Sequence, residues 1–154
     1  MPGNVTASFV KTFDIKRVLV TWAGVSISGW ADGVCVQIRP NAQRWMRYVG
    51  ADGEIARAKS NDTTREVTLT LAMTSLSNDF LSKMLTLDWV TNNGLGPLDI
   101  SETNGGADLF FAQAWIRTPP DVTYAKEIQT RVWILDTGQV ISEIYNADFV
   151  NLSQ

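Results

Sequence analysis

One segment of the chain alternates apolar and polar side chains strictly enough to limit its conformation. In residues 65–73, with the sequence REVTLTLAM, valine, leucine or methionine occupies every second position from residue 67. Successive side chains of a β-strand point to opposite faces, so this pattern predicts a strand that buries one face in a core. The other face carries Glu66, Thr68 and Thr70, which is typical of a sheet surface that contacts water.

Shorter patterns of the same kind, separated by Gly, Pro, Asn and Asp, predict that most of the chain forms strands. The predicted strands are residues 16–22, 24–30, 34–39, 43–49, 54–58, 65–73, 97–102, 109–118, 128–136 and 139–145. One helix interrupts them, because apolar residues recur at helical spacing from Phe80 to Leu87, after a cap at Ser77 and before Asn93 and Gly94. This order predicts a mainly β fold, an antiparallel β-sandwich or barrel with one flanking α-helix, in a single domain over residues 1–154.

The residue types restrict the chemistry that the protein can perform. The chain contains no histidine, and Cys35 is its one cysteine. Histidine is the usual general base and the commonest transition-metal ligand, and a single cysteine forms neither an internal disulfide nor a zinc cluster. The sequence also lacks a phosphate-binding glycine motif and the spacing of a calcium loop. We therefore expect a protein that is not an enzyme and has no catalytic residue, cofactor or metal.

Hydropathy and charge indicate whether the protein associates with membranes or with itself. No apolar run approaches the roughly 20 residues of a membrane-spanning helix, so we expect no membrane association. Residues 39–65 carry six basic and three acidic side chains, whereas residues 66–154 carry four basic and eleven acidic ones. Opposite patches can support self-association, although an ordinary solvated surface is the simpler interpretation of this asymmetry.

Parts of the sequence are compatible with two other kinds of site. Residues 39–48, RPNAQRWMRY, interleave arginine with aromatic residues, as in surfaces that stack on single-stranded nucleic acid. The net charge of −3 favours an ordinary strand here, because nucleic-acid binders are usually basic. A carboxylate pair such as Asp99 and Glu102 could serve a glycosidase, but any acidic β-protein contains such pairs.

A carbohydrate-binding β-sandwich is a further alternative. The chain has six tryptophans, which such a protein would expose as stacking surfaces. Trp22, Trp115 and Trp133 instead lie beside apolar residues within predicted strands, which indicates burial.

Three segments, taken in order, carry a resemblance to a known family. They are ISGWADG at residues 27–33, GADGEIARAKSND at residues 50–62 and VTLTLAMTSLSND at residues 67–79. With this succession of turn, charged loop, threonine-rich strand and Ser-Asn-Asp before the helix, the chain resembles the tail tube proteins of contractile-tailed bacteriophages, whose fold R-type pyocin and type VI secretion tubes share. The resemblance covers about the first two thirds of the chain.

This resemblance implies a structural protein of the phage tail. Hexameric rings of such proteins stack into a hollow conduit for DNA inside a contractile sheath. The implied partners are other copies of the chain, the tail sheath protein, and baseplate and tail terminator proteins; the tape measure protein and DNA pass through the lumen without specific binding. The implied location is the virion tail, assembled in the host bacterial cytoplasm. A related secretion- or pyocin-type tube protein is the alternative.

The resemblance also implies roles for particular segments. The face with Glu66, Thr68 and Thr70 is expected to line the lumen, because phosphate affinity comes mainly from Lys and Arg, which this face lacks. Open sheet edges are expected to pair between subunits, since ring closure removes edges. The charged loop is expected to reach a neighbouring subunit or ring through Asp52, Glu54, Arg57, Lys59 and Asp62. An N-terminal arm, residues 2–13, is expected to contact a neighbour through Val5, Phe9 and Phe13.

Overall fold

The structure, a computed structural model, describes residue 10 and residues 12–146. A short 3-10 turn, Ile15–Arg17, precedes the first strand. One helix, α1 (Ser77–Thr91), lies between the sixth and seventh strands. The strands are β1 (Val18–Trp22), β2 (Val25–Ile27), β3 (Val36–Pro40), β4 (Trp45–Val49), β5 (Ile55–Lys59), β6 (Arg65–Ala72), β7 (Gly96–Glu102), β8 (Ala107–Thr118), β9 (Thr130–Thr137) and β10 (Val140–Ile144).

Eight strands form one antiparallel sheet. Its order is β2-β1-β7-β8-β9-β6-β3, and β10 pairs with β8 outside this order. The long strand β8 pairs with β10 through its first half and with β9 through its second half. Strands β4 and β5 pair with each other as a separate hairpin. The predicted mainly β, antiparallel fold with one flanking helix is therefore confirmed.

The sheet curls around one apolar core. Alternate residues of each long strand point inward, as in β6, where Val67, Leu69 and Leu71 have no exposed surface. The backbone N–H of Ala31 donates to the carbonyl of Thr70, at 3.1 Å, which joins the segment after β2 to the end of β6. This bond joins the β2 end of the sheet to β6, the strand next to the other end, and the core lies between them. The other core residues are Val20, Trp22, Ile27, Leu81, Leu98, Ile100, Phe111, Ala114, Ile116, Trp133 and Leu135.

Gly29 makes this closure possible. Its φ is +79°, a conformation that residues with a Cβ rarely adopt. A Cβ at this position would also lie 2.4 Å from the Ser75 Oγ atom. Its carbonyl accepts a hydrogen bond from the N–H of Ala72, at 2.9 Å. The ISGWADG segment thus fastens the β2 side of the sheet to the strand that precedes α1.

Helix α1 covers one end of the core. Leu81 is fully buried, and Phe80 meets Trp22 edge to face with ring centroids 5.8 Å apart. The predicted cap at Ser77 is wrong, because Ser77 is the first helical residue and its Oγ accepts a hydrogen bond from the Ser28 N–H, at 3.0 Å. The helix ends at Thr91, and Asn92 follows in the left-handed conformation.

Some hydrophobic residues of the predicted strands and helix are exposed, among them Val25, Val34 and Leu87. Val25 lies on β2, a three-residue strand at the sheet edge, and Val34 precedes the start of β3. Leu87, predicted on the buried stripe of the helix, is also exposed because it lies on the outer side of α1. Periodicity predicts the inward faces of the central strands well. For Val25, Val34 and Leu87, position at the margin of the sheet or on the outer side of the helix decides burial.

Candidate assembly surfaces

The β4–β5 hairpin projects from the sheet with every residue of both strands exposed. Gly53 supplies a positive φ in the turn, and the Asp52 carboxylate accepts a hydrogen bond from the Glu54 N–H, at 3.2 Å. Residues 55–59, part of the segment expected to act as a charged loop, are strand β5, as the alternation of residues 54–58 predicts. Arg57 and Lys59 therefore lie on a strand, and Asp52 and Glu54 lie at the turn.

One face of this hairpin, which we call the cationic face, combines basic and large apolar side chains. Cross-strand pairing places Arg47 opposite Arg57, although like charges in this position destabilise a sheet. The Arg57 guanidinium stacks on the Trp45 ring, 3.8 Å from its centroid. Within the described residues, no acidic side chain pairs with a basic group of this face. The cationic face consists of Trp45, Arg47, Val49, Ile55, Arg57 and Lys59.

The base of the hairpin is held by its own subunit. The N–H of Ser60 donates to the Arg44 carbonyl, at 2.8 Å, and the Arg44 guanidinium pairs with Glu143. The Asp62 carboxylate accepts hydrogen bonds from the Thr64 hydroxyl and N–H, at 2.6 and 3.0 Å. These two bonds lower the pKa of Asp62 below its ordinary value. Asp62 thus shapes the entry to β6 within its own subunit, and its expected contact with a neighbour stays a prediction.

A buried arginine lies beside this base. The Arg65 side chain is 4% exposed, and its guanidinium donates to the Glu143 carboxylate at 2.6 Å and to the Thr63 carbonyl at 2.7 Å. The Tyr145 hydroxyl and the Arg44 guanidinium also donate to Glu143, and these contacts lower its pKa. This ionic cluster joins β6 to β10 and orients the hairpin.

The outer face of β6 is half-buried at Glu66, Thr68 and Thr70, opposite the core. Arg117 bridges two strands here, donating to Glu66 at 3.0 Å and to Asp136 at 3.1 Å. Cross-strand pairing places Arg39 beside Glu66, so two basic and two acidic groups balance each other. The face is less polar than the β6 sequence alone predicts, because the β9 neighbours of Thr68 and Thr70 are Ile134 and Val132.

An apolar groove, which we call the α1–β8 groove, runs between the end of the helix and the second half of β8. Its volume is about 940 Å³. Trp89 stands on one wall with 88% of its side chain exposed, whereas Trp115 on the other wall is half-buried. The residues that line it are Leu85, Thr86, Asp88, Trp89, Asn92, Leu95, Trp115, Ile116, Arg117 and Pro119. Of the three tryptophans predicted to be buried, Trp22 and Trp133 are buried, and Trp115 borders this groove.

Two carboxyl groups meet on the outer face of β7 and β8. Asp99 and Asp108 are diagonal neighbours across these strands, and each has one buried oxygen without a hydrogen-bond partner among the described residues. Burial, and then the neighbouring Asp108 carboxyl, raises the pKa of Asp99 to about 6. Asp99 does not pair with Glu102 as suggested from the sequence, because Glu102 accepts from the N–H groups of Asn104 and Gly105 in the β7–β8 turn.

We expect Asp99→Asn to stabilise the subunit at high pH only. The ordinary pKa of an aspartate carboxyl is 3.8, and folding raises that of Asp99. The folded protein therefore binds the Asp99 carboxyl proton more tightly than the unfolded chain does. The stability that the bound proton contributes is complete below pH 3.8 and is lost as the pH rises through about 6. Asparagine stays neutral, so the variant should gain about 1 kcal/mol at about pH 8, because solvent screens part of the cost of the charge, and little at about pH 4.

Urea unfolding at both pH values measures this difference. Asp121→Asn, at an exposed carboxylate, is the matched control and should change the free energy of unfolding by less than about 0.5 kcal/mol. An equal gain for Asp99→Asn at both pH values would contradict the explanation.

Three further predictions concern the N-terminal arm, a membrane-spanning helix and a metal site. Phe13 is exposed, whereas Val5 and Phe9 lie outside the described residues. Over residues 12–146, α1 is too short and too polar to cross a membrane. In the same part of the chain, no group of three or more His, Cys, Asp or Glu side chains could hold a metal ion.

The exposed Trp89 and the buried Arg65–Glu143 pair were not predicted from the sequence. Trp89 lies one turn after Leu85 on α1, at the margin of the apolar stripe, and a helical projection extended to the end of the helix would have drawn attention to it. The Arg65–Glu143 pair joins residues 78 positions apart, and no local pattern predicts such a contact.

Comparisons with known proteins agree on the kind of protein. The family described as Bacteriophage PhiTE tail tube protein matches residues 5–144. Structural protein ORF10 of Pseudomonas phage KPP10 is 26% identical over 117 residues, which make up 73% of this chain and 68% of that protein.

Solved structures share the fold at low identity. A chain of the tube-terminating cap of the anti-feeding prophage has a TM-score of 0.59 and 14% identity, over 93% of this chain and 99% of that one. A chain of the sheath–tube complex of an extracellular contractile injection system has a TM-score of 0.55 and 12% identity, over 94% and 99%. Because the family match covers most of the sequence, the chain belongs to the phage tail tube proteins.

Proposed function

We propose that this protein is the tube subunit of a contractile phage tail, with one tube-type domain, and that its hexameric rings stack into the conduit through which DNA leaves the capsid. Its role is structural and involves no catalysis. The single observation that carries the assembly part of the proposal is the β4–β5 hairpin. Every residue of both its strands is exposed, and the basic side chains of these strands have no acidic partner among the described residues of their own subunit.

A two-stranded hairpin is marginally stable in water unless something covers it. Trp45, Met46, Tyr48, Val49 and Ile55 are all exposed on these strands. Such a hairpin gains stability when a neighbouring subunit covers its apolar side chains and supplies carboxylates. Arg57 and Lys59 are the best placed of the predicted contact residues, because both lie on the cationic face.

The outer face of β6 suits a lumen. Its charges balance locally through Arg39, Glu66, Arg117 and Asp136, so it offers DNA no net positive surface. Phosphate binding depends mainly on basic side chains that release counterions, so a balanced wall would let DNA and the tape measure protein pass. Glu66, Thr68 and Thr70 are the proposed lumen residues.

The proposed partners follow from the family and from the fold. Chains of similar fold occur in a tube-terminating cap, in a sheath/tube terminator and in a sheath–tube complex. We extend this to a tail sheath, a tail terminator and a baseplate as the proteins that contact this tube in the virion, after assembly in the host cytoplasm. A tube subunit of a pyocin-like or secretion particle is the second candidate, favoured by the likeness to contractile injection systems.

The purified protein should form rings or tubes that negative-stain electron microscopy can resolve. Light scattering should show mass rising with protein concentration, because assembly through many copies is cooperative. A monodisperse monomer at every concentration would overturn the proposal.

Replacing residues 45–59 with a short Gly-Ser turn should leave the subunit folded but unable to assemble. The fold should survive because both strands are exposed and pair only with each other among the described elements. Circular dichroism tests folding, and electron microscopy tests assembly. The control Ala51→Ser keeps both strands and should still assemble. Loss of folding in the replacement would show that the hairpin stabilises the core instead.

A further inference from the structure

We propose that the α1–β8 groove of one copy receives the cationic face of the β4–β5 hairpin from a second copy. The inference rests on the proposed function, because it names the surface that the hairpin binds. Both surfaces carry exposed apolar side chains that no other described part of their own chain covers, so a second copy can cover them.

The groove and the cationic face both carry large apolar side chains. The groove offers Trp89, Leu95 and Trp115, and the cationic face offers Trp45, Val49 and Ile55. A soluble subunit gains free energy by removing such side chains from water, and exposed aromatic residues are typical anchors of protein interfaces. A groove of about 940 Å³ is large enough to take several of these side chains.

The charge of the α1–β8 groove favours the cationic face over an uncharged partner. Asp88 lies in the last turn of α1, where no basic residue offsets it or the negative end of the helix dipole. Arg117 on the opposite wall is already paired with Glu66 and Asp136. The helix side of the groove is therefore negative, and the cationic face brings Arg57 and two further basic groups that lack a carboxylate partner among the described residues.

Trp89 adds a second reason for a cationic partner. An arginine over an indole ring gains cation–π attraction, and Arg57 already makes this contact with Trp45 inside the hairpin. With 88% of its side chain exposed, Trp89 presents a ring face of the same kind to another copy.

The β8 wall of the groove includes an open strand edge. Strand β7 begins at Gly96, which pairs with Ala114, so residues 115–118 of β8 have no partner on that side among the described strands. An open edge can accept a strand from another molecule. A hairpin with free outer edges is suited to this position.

Cross-linking between copies tests the contact directly. In a Cys35→Ser background, one chain carries Val49→Cys on the cationic face and another carries Thr86→Cys, a groove residue that is not one of the proposed anchors. When the two chains are mixed under assembly conditions, oxidation should link them, because the proposed contact brings the two Cβ atoms within the distance of about 4.5 Å that a disulfide requires. The matched control pairs Thr86→Cys with Tyr48→Cys, which lies on the opposite face of the hairpin and should not link. Linkage through Tyr48→Cys alone would overturn the proposed orientation.

Assembly measurements separate this inference from the proposed function. Trp89→Glu should raise the protein concentration needed for assembly at least about tenfold, and Arg57→Glu should do the same. Combining Arg57→Glu with Asp88→Arg should recover part of the loss, since the charges are exchanged. If the unmodified protein assembles and Trp89→Glu assembles equally well, the groove assignment fails while the tube function stands. If the unmodified protein forms no rings or tubes, both fail.

Discussion

Trp22→Ala is expected to lower the free energy of unfolding by about 4 kcal/mol, the largest effect of any single substitution considered. The Trp22 side chain is fully buried at the centre of the core, and its indole N–H donates to the Ala114 carbonyl at 3.1 Å. It also packs edge to face against Phe80 of α1. Truncation leaves a cavity in the core and leaves the Ala114 carbonyl without this hydrogen bond. It also removes part of the surface against which α1 packs.

Urea unfolding followed by far-ultraviolet circular dichroism measures this loss, at protein concentrations below assembly. Trp89→Ala is the matched control, because the same side chain is removed from an exposed position. It should change the free energy of unfolding by less than about 0.5 kcal/mol while it impairs assembly. Equal destabilisation by the two substitutions would contradict the assignment of Trp22 to the core and Trp89 to an open surface.

Arg65→Met is expected to cost about 3 kcal/mol of stability. The guanidinium is almost completely buried and donates to Glu143 and to the Thr63 carbonyl. Its loss leaves the partly buried Glu143 carboxylate with one fewer positive partner, and the carbonyl without a donor. The destabilisation therefore comes mostly from groups that remain buried and unsatisfied.

Two variants test that explanation. Adding Glu143→Leu to Arg65→Met should recover part of the stability, because it removes the carboxylate that the first substitution leaves uncompensated. Lys83→Met removes the exposed ion pair with Asp79 on α1 and should cost about 0.5 kcal/mol or less. If Arg65→Met were as mild as Lys83→Met, the ionic cluster would have no structural importance.

Local signals in the sequence were sufficient for the strands and the helix. The alternation in residues 65–73 predicted β6 with the correct inward face, because one buried face of a strand leaves a period of two in the sequence. The predicted strands on either side of Asp52 and Gly53 pair as β4 and β5, and those on either side of Asn104 pair as β7 and β8. The predicted helix cap at Ser77 was wrong, since Ser28, far away in sequence, donates to its hydroxyl.

The surfaces that we propose for assembly were only partly predictable. The sequence singled out Arg57 and Lys59 but gave no reason to separate them from Asp62, which bonds within its own subunit. It gave no indication of the α1–β8 groove, because that groove is formed by residues of α1 and β8 that are distant along the chain. The carboxyl pair of Asp99 and Asp108 was missed for the same reason, since strand register alone makes them neighbours.

The sequence by itself determined the secondary structure, the family and the absence of a histidine-based chemistry, because period, turn residues and composition are local properties of the chain. Only the tertiary structure decided which polar groups are paired within the subunit and which exposed surfaces remain for another copy. That division depends on strand register and on the curl of the sheet. Both result from packing the core, which brings together residues that no short stretch of sequence connects.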